Sequence, residues 1–147
     1  MPIANYVKNR VLNIITGQNV SLGNQTVYLA LATAAPVQNG ETVTFTEVQT
    51  PGTNGYQRAI VGSPAQSLTQ TFGPASAGVV TNNKQIKFDM ATGAWPQATY
   101  GVLVNAATGG QVLGWGELTT PITVGNSEVA VVLVNGIQIS ILDEAQA

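Results

Sequence analysis

Alternation of apolar and polar positions is strongest between Tyr100 and Leu118, where two apolar runs flank a small-residue segment ending in Gly109-Gly110. Tyr100, Val102 and Val104 alternate with Gly101 and Leu103 in the first run; Val112, Gly114 and Gly116 alternate with Leu113, Trp115 and Glu117 in the second. That period predicts a β-hairpin. Apolar side chains fall on both of its faces, so the ribbon is expected to be a central element covered by other strands or by another subunit. Gly109-Gly110 suits the positive φ of a tight reversal, and Gly114 and Gly116 leave room beside Trp115 for a large ring or a bulge.

The same two-residue period recurs along the chain. Thr26 to Thr33 places Val27, Leu29 and Leu31 opposite Tyr28, Ala30 and Ala32, which predicts a central strand. Glu41 to Val48 sets threonines against Val43 and Phe45, the pattern of a half-exposed strand. Tyr56 to Val61 would carry Tyr56, Arg58 and Ile60 on one face, and Lys84 to Met90 would turn Ile86, Phe88 and Met90 inward before Trp95-Pro96 closes a turn. Pro121 and Gly125-Asn126 mark a further turn. Asn135-Gly136, between the apolar runs Glu128 to Val134 and Ile137 to Leu142, is a strong hairpin signal. Pro64 to Asn83, rich in Ser, Thr, Gln, Gly and Pro, reads as a long connection with weak strand character around Ser67 to Phe72, and as a place to look for a contact surface.

One segment has a helical period. From Pro2 to Thr16, Ile3, Val7, Val11 and Ile14 recur at spacings of four, four and three, with Pro2 at the start and Gly17 at the end. Arg10 falls at the edge of that stripe. A helix so short is marginal alone. It either plugs one end of its own sandwich, with Arg10 reaching out to solvent, or docks on another subunit or particle component. The whole is an all-β chain, a single β-sandwich or jelly roll of about eight or nine short antiparallel strands with one N-terminal amphipathic helix: residues 1–20 form the docking helix and linker, and 21–147 the sandwich.

Composition sharpens this picture. Among 147 residues there is no Cys and no His, and only 8 % are charged, with Lys+Arg 5 and Asp+Glu 7. The usual general base and the commonest metal ligands are therefore missing, and no cofactor or metal is expected. Asp89, Glu117 and Glu128 lie on separate strands with no spacing that pairs them, so no enzyme activity is expected. With no basic run, phosphate neutralisation has almost nothing to work with, so no nucleic-acid partner is expected. No apolar run approaches the roughly 20 residues of a membrane span. So neutral a surface suits a protein largely covered by neighbours, which favours a homo-oligomer, most simply a trimer.

Tyr56, Arg58, Trp95 and Trp115 are the remaining candidates, expected in the core or at a subunit interface. Arg58 reads either as a sheet-surface ion pair worth at most about 1 kcal/mol or as a neighbour contact. Tyr56, Trp95, Tyr100 and Trp115 could alternatively form a sugar-stacking platform for a host surface glycan.

The segments VYLALAT, NGYQRAIV, KFDMATGAWP, YGVLVNAATGGQVLGWGELTTPITV and LVNGIQISILD resemble, over nearly the whole chain, a family of small tailed-phage proteins usually labelled tail-fibre or minor tail proteins. The resemblance implies a structural protein of the virion, made in the host bacterial cytoplasm. A compact sandwich with a docking helix further resembles the jelly-roll cement proteins that decorate phage capsids as trimers. The first expectation is thus a trimeric capsid decoration protein bound to the major capsid protein or another virion protein through Ile3, Val7, Arg10, Val11 and Ile14. A tail-fibre or baseplate component and a glycan-binding module are the alternatives.

Overall fold

The computed structural model describes residues 3–18, 26–40, 42–63 and 71–140, with one helix and ten strands among them. In chain order these are α1 (Asn5–Ile15), β1 (Val27–Ala32), β2 (Val37–Asn39), β3 (Thr42–Thr44), β4 (Ala59–Gly62), β5 (Val79–Thr81), β6 (Ile86–Met90), β7 (Trp95–Val104), β8 (Val112–Val124), β9 (Val129–Val132) and β10 (Gln138–Ser140). The fold is an all-β sandwich. Its frame is a four-stranded antiparallel sheet in the order β4-β1-β7-β8, joined by the two-stranded ribbons β2-β3, β10-β5 and β6-β9.

Both faces of the frame are covered, as two-sided apolar strands require. Leu29, Leu31, Leu103 and Leu118 belong to the larger core with Ile86, Phe88, Ala130, Val132, Ile137 and Ile139 of the ribbons. Ala30, Ala32, Val102, Val104 and Trp115 form a second core, over which Val43 and Phe45 pack, with Ala4 at its edge. Val102 pairs with Trp115 and Gly101 with Gly116 across the central hairpin. Gly116 does not make room for a ring: a Cβ there would fall within the radius of the Gln138 carbonyl oxygen, and one at Gly101 would strike Ile137. These two glycines let β10 approach the frame, and Gly114 meets Ile3 in a β-bridge.

Several expectations are corrected. Trp95 opens β7 instead of closing a turn, and β8 runs through Pro121 to Val124 at the sheet edge, where proline is tolerated. Met90 is 56 % exposed and Ala91 is buried in its place, because the β6–β9 register shifts between Lys87 and Met90. Tyr56 to Arg58 precede β4, in which Val61 is inward and Ile60 exposed. The reversal at Asn39-Gly40 joins β2 to β3, and the long connection contains β5; its residues 64–70, and residues 141–147, lie outside the described part.

The largest correction is at Asn135-Gly136. A two-residue hairpin turn of the favoured type needs positive φ at both central positions. Only Asn135 has it, at +62°. The chain does turn, with Gly136 N–H donating to the Leu133 carbonyl at 2.8 Å, but β9 pairs with β6 and β10 with β5. Asn82, fully buried, latches the turn: its amide donates to the Leu133 carbonyl at 2.8 Å, and its side-chain oxygen accepts the Ile137 N–H at 3.2 Å.

Candidate functional site

Arg58 is the first residue to place, because a charge inside a neutral chain needs a reason. Its side chain is 4 % exposed. Nε donates to Glu47 Oε2 at 3.0 Å and Nη2 to Glu47 Oε1 at 2.7 Å, a bidentate fork of the kind guanidinium and carboxylate geometry favour. Nη1 donates to the carbonyls of Ala106 and Gly109 at 2.8 and 2.9 Å. Arg58 is therefore neither a surface ion pair nor a free docking charge. It clamps the loop at the tip of the central hairpin, where Gly109 and Gly110 have positive φ as the reversal demands.

Tyr56 completes this network. Its hydroxyl donates to Glu47 Oε2 at 2.8 Å and accepts the Leu31 N–H at 3.0 Å. Burial first, and then the Glu47 carboxylate, push the phenol well above the ordinary tyrosine range, so it stays protonated and remains a donor. Trp95 packs edge-on against Tyr56, centroids 5.2 Å apart, and its Nε1–H donates to the Asn54 carbonyl at 2.9 Å. Among the described residues no buried side-chain nitrogen or oxygen lacks a partner. Such a network fixes a shape.

The sugar-stacking platform is not assembled. Tyr56, Trp95 and Trp115 are buried, and Tyr100 is half-buried against the second core. Glu47 and Asn82 are the residues that sequence reasoning missed. Glu47 had one available signal, since it stands close to Tyr56 and Arg58 in a chain with few other charges.

The N-terminal helix is the second feature. It starts at Asn5, not Pro2: Ile3 bridges Gly114, and Ala4 N–H donates to the Leu113 carbonyl at 3.0 Å, so these two residues are part of the sandwich. Asn5 is fastened to the β2-β3 ribbon through Gln38 and the Gly40 carbonyl. Beyond this root no helix residue is buried. Val7 is half-buried, while Val11, Leu12, Ile14 and Ile15 are exposed, Ile15 at 70 %. The Arg10 guanidinium lies over the Tyr6 ring, 4.8 Å from its centroid. The structure thus brings Tyr56 and Arg58 together on Glu47, with Trp95 against Tyr56, and leaves Val11 and Ile14 on a separate outward helix.

Fold and site together define a small β-structural module whose buried polar groups hold its own loops and whose exposed apolar side chains gather on the N-terminal helix and around residues 129–134. Residues 2–140 match the family model described as Podophage GP4 fiber I protein gp80, and the chain belongs to that family. It is accordingly a phage fibre-type virion protein. No curated protein matches it.

Proposed function

We propose that this chain is a non-enzymatic structural subunit of a phage tail fibre, acting as a homotrimer whose contacts to neighbouring virion subunits run through the apolar face of α1. The single observation carrying this reading is that Val11, Leu12, Ile14 and Ile15 are exposed on a helix rooted at one end. Exposed apolar clusters of this kind mark interaction surfaces. The fibre family favours the tail over the capsid shell, which had been the first expectation. Neither a cofactor nor a nucleic-acid or membrane partner enters this reading.

Location and copy number test it together. Quantitative mass spectrometry and immunogold labelling of purified particles should find a few copies per particle, at the tail, and sedimentation of the isolated protein should give a trimer. Hundreds of copies over the shell, or a stable monomer at micromolar concentration, would overturn it.

A further inference from the structure

A cleft of about 500 Å³ opens between residues 118–124 and 128–136. These segments contain β8 and β9, which follow one another across the tight turn at Gly125, where Gly125 N–H is held by the Glu128 carboxylate. Strands so connected would ordinarily zip into a hairpin. Here β8 pairs with β7 and β9 with β6, and no ladder joins the two; the segments are tied at the end away from the turn, where the Thr119 N–H and hydroxyl donate to the Gly136 and Asn135 carbonyls at 2.8 and 3.2 Å. The walls are mainly apolar, with Val129, Leu133 and Val134 exposed beside Thr119, Thr120 and Thr123, and among the described residues Glu128 is the only charged one lining them.

We infer that this cleft receives α1 of a second copy of the chain, an inference that rests on the fibre reading above. Charge is complementary: before Glu41 the only charged side chains are Lys8 and Arg10, both positive, while the cleft carries only Glu128. Val7, Val11, Leu12, Ile14 and Ile15 fall within an arc of about 160° around the helix at 3.6 residues per turn, with Lys8 inside it between Ile15 and Leu12. That is wider than a coiled-coil seam and suits a groove better than a second helix of its own kind. The helix of the same copy is not seated there: none of residues 5–15 lines the cleft, and Val11, Leu12, Ile14 and Ile15 are exposed. From its root at Leu113 the middle of the cleft lies about 25 Å away along β8, whereas residues 11 to 15 lie about 10 to 15 Å from that root. Given reciprocally by two copies, such a contact makes a two-fold dimer; given head-to-tail it is heterologous and closes into a ring or continues along a filament, and the trimer proposed above takes the head-to-tail form.

A photoactivatable phenylalanine analogue placed at Ile15 in the full-length protein tests the seat, with isotope-labelled and unlabelled copies mixed to separate inter-chain from intra-chain products. Inter-chain adducts within residues 118–136 are expected. Adducts to residues 5–15 of another copy, adducts within one chain, or no inter-chain product would overturn the inference. Leu133→Arg gives an independent readout, since that side chain is already 63 % exposed and its replacement is expected to leave the fold, checked by circular dichroism, intact. Self-association should weaken by about ten-fold or more, and unchanged association would sink the proposal. Neither result bears on whether the protein sits in the fibre, which is decided by its presence and location in purified particles.

Discussion

The tip of the central hairpin and the N-terminal helix reverse the usual division of side chains. At the tip, two charges are enclosed and tie Glu47, Tyr56 and the Ala106 and Gly109 carbonyls to Arg58. On the helix, four large apolar side chains face outward, and only its first turn is fastened to the sandwich. One region is fixed from within and has no reason to change when neighbours arrive. The other is supported at one end, so its stability is expected to come from whatever covers it. Rigid presentation and unfinished packing therefore reside in different parts of one small chain.

The comparison is broken most severely at Arg58. Arg58→Ala leaves the half-buried Glu47 carboxylate with the Tyr56 hydroxyl but no counter-charge and takes the donor from the Ala106 and Gly109 carbonyls, and urea denaturation should show a loss of about 3–5 kcal/mol. A loss near 1 kcal/mol would mean that the pair behaves as an exposed one.

Tyr56→Phe is milder. It removes the hydroxyl's bonds to Glu47 and Leu31 and should cost about 1–3 kcal/mol. The same residue gives the clamp a pH signature. Its folded-state pKa is raised, so the unfolded chain releases this proton first. The stabilisation is whole below about pH 10 and declines as pH rises beyond it, by up to about 1.4 kcal/mol per pH unit. Denaturation midpoints measured from pH 8 to 11 should fall for the parent and flatten for Tyr56→Phe; parallel curves would remove Tyr56 as the cause.

The smallest effect belongs to the helix. Val11→Ser, Ile14→Ser and Ile15→Ser should each change the stability of the dilute protein by about 0.5 kcal/mol or less, because these side chains touch little within the chain. A drop of several kcal/mol in thermal or chemical melts would show that the helix plugs its own sandwich after all.

Much of the frame was legible because its strands are long and strictly periodic. Val27 to Ala32 and the Tyr100 to Leu118 hairpin announce their partners through two-sided apolar character and Gly109-Gly110. Short strands were not: β2 and β5 have three residues each, too few for a period to show among Ser, Thr and Asn. Met90 escaped because a register shift is a property of two strands together, and Asn135-Gly136 because Asn82, far away in sequence, takes the turn's hydrogen bonds. The clamp was invisible for the same reason. Arg58 meets the Ala106 and Gly109 carbonyls only after the frame exists, and no local spacing encodes that meeting.

The parting of β9 and β10 into different ribbons also bears on the order in which the chain can fold. Ile137, fully buried, fills the space left by Gly101 and Gly116, and β10 pairs with β5 across a long sequence separation. The β4-β1-β7-β8 frame is therefore complete in the chain at Val124, ahead of the strand Gln138–Ser140 that seals its larger core. Until residues 137–140 arrive, Leu29 and Leu118 stand open to solvent. Non-local closure of this kind slows folding and exposes apolar surface until it is complete, so the last strand, more than the central hairpin, is where the yield of native protein is expected to be decided.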